Sequence, residues 1–253
     1  MKKIAVVTGA SSGMGLECVR QIIRKYSDIE EIWLLARRTE RLERLAAEYA
    51  GRCRLVCMTA DLTKLSDREM LKCRLSEEKP FIKVLVNAAG YGLIGPFMAL
   101  PEEKVTDMTE LNCVALADIT RMCLKYMHAG SRVIQFASSA AFLPQPYFSV
   151  YAATKAYVLS FSRALNYELR KRRITVTAVC PGPVKTEFFD IAETTGRVKL
   201  YKKLVMADPV TVVAKAFEDA ENGKDVSVYG AAMKAFRIIA RIIPNRLLFY
   251  FFG

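Results

Sequence analysis

With 253 residues, 52% of them hydrophobic, the chain is long enough to bury one sizeable core and too short to require a second. Its 38 Lys and Arg against 26 Asp and Glu give a net charge of +12, but the basic residues are interspersed with acids, which argues against a basic stripe and a nucleic-acid partner. Seven cysteines without CxxC spacing read as reduced thiols of a cytoplasmic protein, and the single histidine, His128, excludes a histidine-rich metal site and fits a surface turn.

The opening MKKIAVVTGA carries an apolar run too short for a signal peptide, so the chain is expected to begin with its first core strand, Ile4–Val7. No repeat, low-complexity tract or linker follows. The spacing then predicts a helix over 15–26, a strand over 32–35, a helix over 40–50, strands over 54–58 and 84–86, and one long helix over 101–126. A strand over 132–136, a helix over 151–171, a strand over 175–179, a helix over 209–221 and a strand over 226–229 complete the pattern. Asp208 and Pro209 suit the N-cap and first position of the helix over 209–221. This alternation predicts an α/β, Rossmann-like, doubly wound parallel sheet of about seven strands with helices on both faces. It is one domain over 1–230, with 231–253 as its C-terminal tail. Ligands of such sheets bind beyond the carboxyl ends of the strands.

The stretch TGASSGMG (8–15) lies between the first strand and helix. Gly9, Gly13 and Gly15 permit a tight turn, close approach of backbone to a pyrophosphate and close helix packing, while the helix start offers N–H groups to an anion. The TGxxxGxG spacing resembles the short-chain dehydrogenase/reductase family. That resemblance holds in order at Asp61-Leu62, at LVNAAG (85–90), at Asn112, at Ser138, at YAATK with Tyr151 and Lys155, and at PGPVKT (181–186). One departure is Ala88, which replaces the second Asn of the family's usual pair. The resemblance implies cofactor contacts from Gly9, Ser11, Ser12, Gly13, Met14 and Gly15, from Asp61 and Leu62, and from Asn87, Ala88 and Gly90. It implies more from Tyr151, Lys155, Pro181, Gly182, Val184 and Thr186, and assembly as a homodimer or homotetramer.

Tyr151 and Lys155 are four residues apart on one helix face, so an ammonium beside the phenol is expected to lower its pKa from about 10. At about 4 Å and an effective dielectric near 20 that attraction is worth at most about 4 kcal/mol. A hydride delivered to a carbonyl carbon leaves an alkoxide, to which Tyr151 can give a proton while the Ser138 hydroxyl holds the oxygen. The family's spacing from serine to tyrosine selects Ser138, with Ser139 as the fallback. The resemblance adds Asn112 as anchor of a water linking Lys155 to solvent, and gives Lys155 a second task on the nicotinamide ribose.

Cofactor choice is read at Ala36-Arg37-Arg38, which offers no acid for a ribose 2′-hydroxyl and two cations for a 2′-phosphate, so NADP(H) is expected. Arg37 is the primary candidate, since Arg38 and Arg41 also suit the basic start of a helix. Ser11 and Ser12 can add hydroxyl contacts. The apolar stretches 91–97, 141–148 and 187–191 line the expected mouth and imply a hydrophobic ketone or alcohol such as a steroid or bile acid. Two alternatives stand beside this reading: a 3-oxoacyl reductase that docks an acyl carrier, and a catalytically silent NADP-sensing protein.

The C-terminal AAMKAFRIIARIIPNRLLFYFFG describes a helix with a basic stripe at Lys234, Arg237 and Arg241, broken near Pro244, and then the apolar run 247–252. Three covers are open for it. They are the substrate cleft, a second subunit, and a membrane surface, which would make the protein membrane-peripheral.

Overall fold

Strands buried on both faces need near-continuous apolar sequence, and the first two meet that demand over Ile4–Val7 and Ile32–Ala36. In the computed structural model, which describes residues 1–192 and 206–244, β1 (Lys3–Thr8) and β2 (Glu31–Ala36) are neighbouring strands of a seven-stranded sheet. The others are β3 (Arg54–Thr59), β4 (Phe81–Asn87), β5 (Arg132–Phe136), β6 (Thr175–Val179) and β7 (Val226–Ser227). All pair in parallel in the order β3-β2-β1-β4-β5-β6-β7. The order reverses at β1, so the connections leaving β1 and β4 part in opposite directions and open a crevice between their carboxyl ends.

Alternation along β1 assigns its side chains to two cores. Ala5 and Val7 pack with Cys18 and Ile22 of α1 (Gly13–Lys25), with Leu42 and Leu45 of α2 (Thr39–Glu48), and with Val213, Ala216 and Phe217 of a later helix. Ile4 and Val6 face the opposite core with Leu71 and Leu75 of α3 (Leu65–Glu78). Also on that side are Ile119 and Cys123 of α5 (Leu116–Leu124) and Leu165 of α6 (Ser149–Glu168). The sheet is therefore doubly wound within one domain.

Two expectations fail. No helix was expected between β3 and β4, yet α3 fills that crossover, because its inward face is Arg68, Leu71 and Leu75 while Leu65 and Met70 are exposed. The long helix expected over 101–126 is interrupted: α4 (Glu102–Thr109) gives way to a π-helical turn, Glu110–Ala115, before α5 resumes. The five-residue α7 (Phe188–Ala192) lies beside Tyr151, and α8 (Pro209–Glu221), packed against α1, and α9 (Ala231–Ile242) complete the described chain. Asp208 caps α8 by accepting from the Val210 amide at 2.9 Å, with Pro209 at the first turn. His128 lies exposed in a turn, edge-on to Phe81.

Arg68 fastens the interrupted helix to α3. Its side chain is buried and donates to Glu110 at 2.8 Å, Asp118 at 3.1 Å and the Leu62 carbonyl at 2.7 Å. Both acids keep about a third of their surface, which discounts the ion pairs, but the carbonyl loses its donor outright. Arg68→Leu should therefore lower the unfolding free energy by about 1–3 kcal/mol, read as a downward shift of the urea midpoint at unchanged slope.

Candidate active site

The crevice is built from its floor. Gly9 takes φ +68°, and its amide donates to the Leu35 carbonyl at 2.9 Å, so the chain turns out of β1 in a conformation that other residues rarely adopt. A Cβ there would meet the Ala89 amide at 2.8 Å, and one on Gly15 would fall on the Gly9 carbonyl. The Thr8 hydroxyl oxygen accepts from the amides of Ala88 and Ala89 at 3.1 and 3.2 Å, binding the turn after β4 to the end of β1. Ser12 precedes α1 without a side-chain cap, and no acid occupies the helix's first turn, so the amides at Gly13, Met14 and Gly15 suit an anionic pyrophosphate.

Around this floor the expected residues divide. Asp61 accepts from the Thr63 amide and hydroxyl at 3.2 and 2.8 Å, fixing the turn after β3, and Leu62 beside it is buried. Asn87, expected among the cofactor contacts, instead turns its side chain into the sheet, where it donates to Thr120 at 2.9 Å and Gln135 at 3.3 Å. Pro181 accepts from the Ser139 amide at 2.8 Å, Val184 is buried and bridges to Ala207, and Thr186 lies 3.4 Å from where a Cβ on Gly13 would stand. Gly182 faces Met233 of α9.

Ser138, Tyr151, Lys155 and Asn112 converge at the carboxyl edge. The Ser138 hydroxyl stands beside the Tyr151 phenol and accepts from the Ala140 amide at 3.1 Å. Ser139 makes no such contact and opens a short 3₁₀ turn, Ser139–Phe142. Lys155 donates to the Phe136 carbonyl at 2.7 Å, and its ammonium lies 5.6 Å from the centre of the Tyr151 ring. Asn112, held by the π turn, donates to the Tyr91 carbonyl at 2.9 Å and to Thr154 at 3.1 Å, and accepts from the Tyr91 amide at 3.2 Å. Gly90 carries no Cβ where one would meet the Asn112 carboxamide at 2.7 Å.

The electrostatics differ from the expectation. Burial pushes the Tyr151 phenol well above its usual range, opposed by the Ser138 hydroxyl, so the phenol is held protonated rather than drawn toward phenolate. The same burial lowers Lys155 to about 8. At 5.6 Å, with its ammonium engaged by Phe136, Lys155 does not overcome desolvation of the phenol.

The apolar stretches expected at the mouth close over the phenol. Phe148 stacks on Tyr151 at 4.3 Å between ring centroids, and Phe188 of α7 tilts over it at 5.2 Å. Gly92 admits both rings, since its Cβ would meet Tyr151 at 2.6 Å and Phe148 at 2.8 Å. Arg38 donates to Ser11 at 3.3 Å, to Ser12 at 2.6 Å and to Glu187 at 2.7 Å. Arg37 is exposed and makes no hydrogen bond or ion pair among the described residues. Of the three covers considered for the C-terminal stretch, α9 turns Met233, Phe236 and Ala240 onto the chain's own Gly182, Phe142 and Leu143. The run 247–252 lies outside the described residues.

A buried lysine also leaves a mark on stability. Because the folded protein releases the Lys155 proton near pH 8 and the unfolded chain near 10.5, the unfolded chain binds more protons in that window, and stability rises across it. Relative to a Lys155→Met variant, the wild type should gain on the order of 1–3 kcal/mol between those pH values, measured by denaturant unfolding at each end.

The comparisons agree with this geometry. The family model described as short chain dehydrogenase matches residues 3–195. The short-chain type dehydrogenase/reductase VdlC of Helicobacter pylori is 30% identical over 190 residues, covering 73% of this chain and 66% of that protein. A Streptomyces coelicolor protein named as a ketoacyl reductase is 31% identical over 195 residues, covering 73% and 71%. Among solved structures, a short-chain dehydrogenase from Sphingobium yanoikuyae in complex with NADPH superposes with a TM-score of 0.80 at 27% identity, covering 95% of this chain and 94% of that one. With its family model matched over most of the chain and its strand order and crevice in place, this protein belongs to the short-chain dehydrogenase/reductase family.

Proposed function

We propose that the protein transfers a hydride between NADP(H) and the carbonyl or secondary alcohol of a hydrophobic substrate. The observation that carries this reading is the convergence of Ser138 and a buried, protonated Tyr151 at the crevice, with Lys155 and Asn112 behind them. The nicotinamide, when bound, supplies or accepts the hydride. Ser138 holds the substrate oxygen, and Tyr151 gives it the phenolic proton in reduction or takes the alcohol proton in oxidation. The elevated phenol pKa favours the donating direction near neutral pH. Lys155, titrating near pH 8, can carry a replacement proton to the site.

The uncapped start of α1 suits the pyrophosphate, while Ser11, Ser12 and Arg38 suit a 2′-phosphate. Binding of NADPH by the Sphingobium protein supports the same choice. Apolar groups about Tyr151, among them Leu93, Phe148 and Phe188, support a hydrophobic ketone of the steroid or bile-acid kind. A 3-oxoacyl substrate is the second reading, favoured by the identity to the Streptomyces protein. Complete Ser138, Tyr151 and Lys155 argue against a silent NADP sensor.

Oxidation of NADPH followed by absorbance with free ketones and carrier-linked 3-oxoacyl substrates separates these readings. Turnover of free ketones alone supports the first, of carrier-linked substrate the second, and of neither the silent sensor. Tyr151→Phe should lower kcat by at least about 100-fold while leaving the Kd for NADPH within a few-fold, since the ring still packs but its proton is gone. Arg38→Asp should lower the ratio of kcat/KM for NADPH over NADH by more than about tenfold, because it removes a phosphate partner and adds a like charge.

A further inference from the structure

At the end of β2 the crevice holds an anion of the protein's own. Each nitrogen of Arg38 has an acceptor: Nε donates to Ser11, Nη2 to Ser12 and Nη1 to Glu187 Oε2 at 2.7 Å. Arg41 Nη1 takes the other carboxylate oxygen, Oε1. One guanidinium on each oxygen is the arrangement that two phosphate oxygens would also accept. These two hydrogen bonds hold the Glu187 carboxyl below its usual range, so it is ionised near neutral pH. The pairs are about 40% exposed and contribute little to folding stability, so their consequence lies in competition.

Glu187 also stands at a junction. It follows Thr186, which faces Gly13 of the phosphate-binding turn, and precedes Phe188, whose ring covers Tyr151. The far end of that short segment is tied down as well, since the Ala192 carbonyl accepts from the Ile94 amide at 3.1 Å.

We propose that Glu187 is an internal occupant of the anion subsite formed by Ser11, Ser12, Arg38 and Arg41, displaced by a 2′-phosphate and left in place by a dinucleotide that lacks one. The inference rests on the assignment of that subsite to the 2′-phosphate. A phosphate brought between the two serines and Arg38 meets the Glu187 carboxylate as a like charge sharing one guanidinium, and part of its binding free energy goes into breaking the Arg38–Glu187 contact. Linkage is reciprocal: a ligand that releases Glu187 loosens the anchor of residues 188–192, and with it the cover on Tyr151. Glu187 thus sets how strongly the protein distinguishes the two dinucleotides, and it conveys that choice to the substrate side.

The test uses the full chain with two probes, adenosine 2′,5′-bisphosphate and 5′-AMP, titrated calorimetrically into wild type, Glu187→Gln and Glu187→Ala. Both variants should bind the bisphosphate about 5–30-fold tighter than wild type does, with 5′-AMP within about twofold. In the wild type, amide hydrogen exchange over residues 188–192 should accelerate with the bisphosphate and not with 5′-AMP. Unchanged or weaker bisphosphate binding in both variants overturns the competition, and weaker binding would make Glu187 a support for Arg38 instead. Exchange that ignores the bisphosphate overturns the link to Phe188. A wild type that does not favour the bisphosphate over 5′-AMP would instead sink the 2′-phosphate assignment itself, which separates the two failures.

Discussion

The pairing of β1 with β4 is the constraint from which the site follows. Strand order reverses there, and the Thr8 hydroxyl, accepting from the amides of Ala88 and Ala89, locks the two exits together. The same junction sets Gly9 at positive φ against the Ala89 backbone, so the glycine turn after β1 and the turn after β4 are in contact. Because β5 lies beside β4, Ser138 emerges at the same edge, and α6 begins there with Tyr151 in its first turn. Neither chemistry nor cofactor affinity requires these residues to be near in sequence. The topology makes them neighbours.

Burial sets the character of that edge. Asn112, Tyr151 and Lys155 are each at most 7% exposed, and each has a polar partner: Tyr91 and Thr154 for the amide, Ser138 for the phenol, Phe136 for the ammonium. The partners satisfy hydrogen bonding without supplying a counter-charge. Desolvation therefore governs both ionisations, keeping the phenol protonated and making the ammonium easier to discharge. A site arranged in this way stores an acid and a nearby proton source in the same apolar surroundings. The cost is borne by the fold, since an isolated buried ammonium disfavours the native state.

At the other end of the crevice the surroundings are half-exposed and charged, and the contacts there are weak and exchangeable. Three consecutive residues, Thr186, Glu187 and Phe188, join that polar end to the aromatic cover of Tyr151. Residues of one short segment thus touch the glycine turn after β1, the Arg38 cluster and the Tyr151 phenol.

Much of the architecture was legible because parallel strands buried on both faces demand near-continuous β-branched and apolar runs, of which β1, β2 and β4 are the fullest. The glycines after β1, the Asp208 cap and the Tyr151–Lys155 spacing were equally readable, since each depends on local geometry. Where the sequence misled, a distant partner decided the outcome. Helix α3 escaped notice because its inward face includes Arg68, whose acidic partners lie 42 and 50 residues away. The π turn at Asn112 depends on Tyr91 and Thr154, 21 and 42 residues away. A four-residue spacing implied a depressed phenol pKa, but Phe148 and Phe188 enclose the ring, and desolvation reverses the shift. The order of Arg37 and Arg38 pointed to Arg37, yet it is Arg38 whose side chain meets Ser11, Ser12 and a carboxylate 149 residues later, contacts that only the fold brings together. Sequence alone determined the strands and the glycine turn, which follow from short-range sterics and periodicity. Tertiary structure decided the protonation and the charged partners of the crevice residues, because desolvation and ion pairing depend on what the rest of the chain places around them.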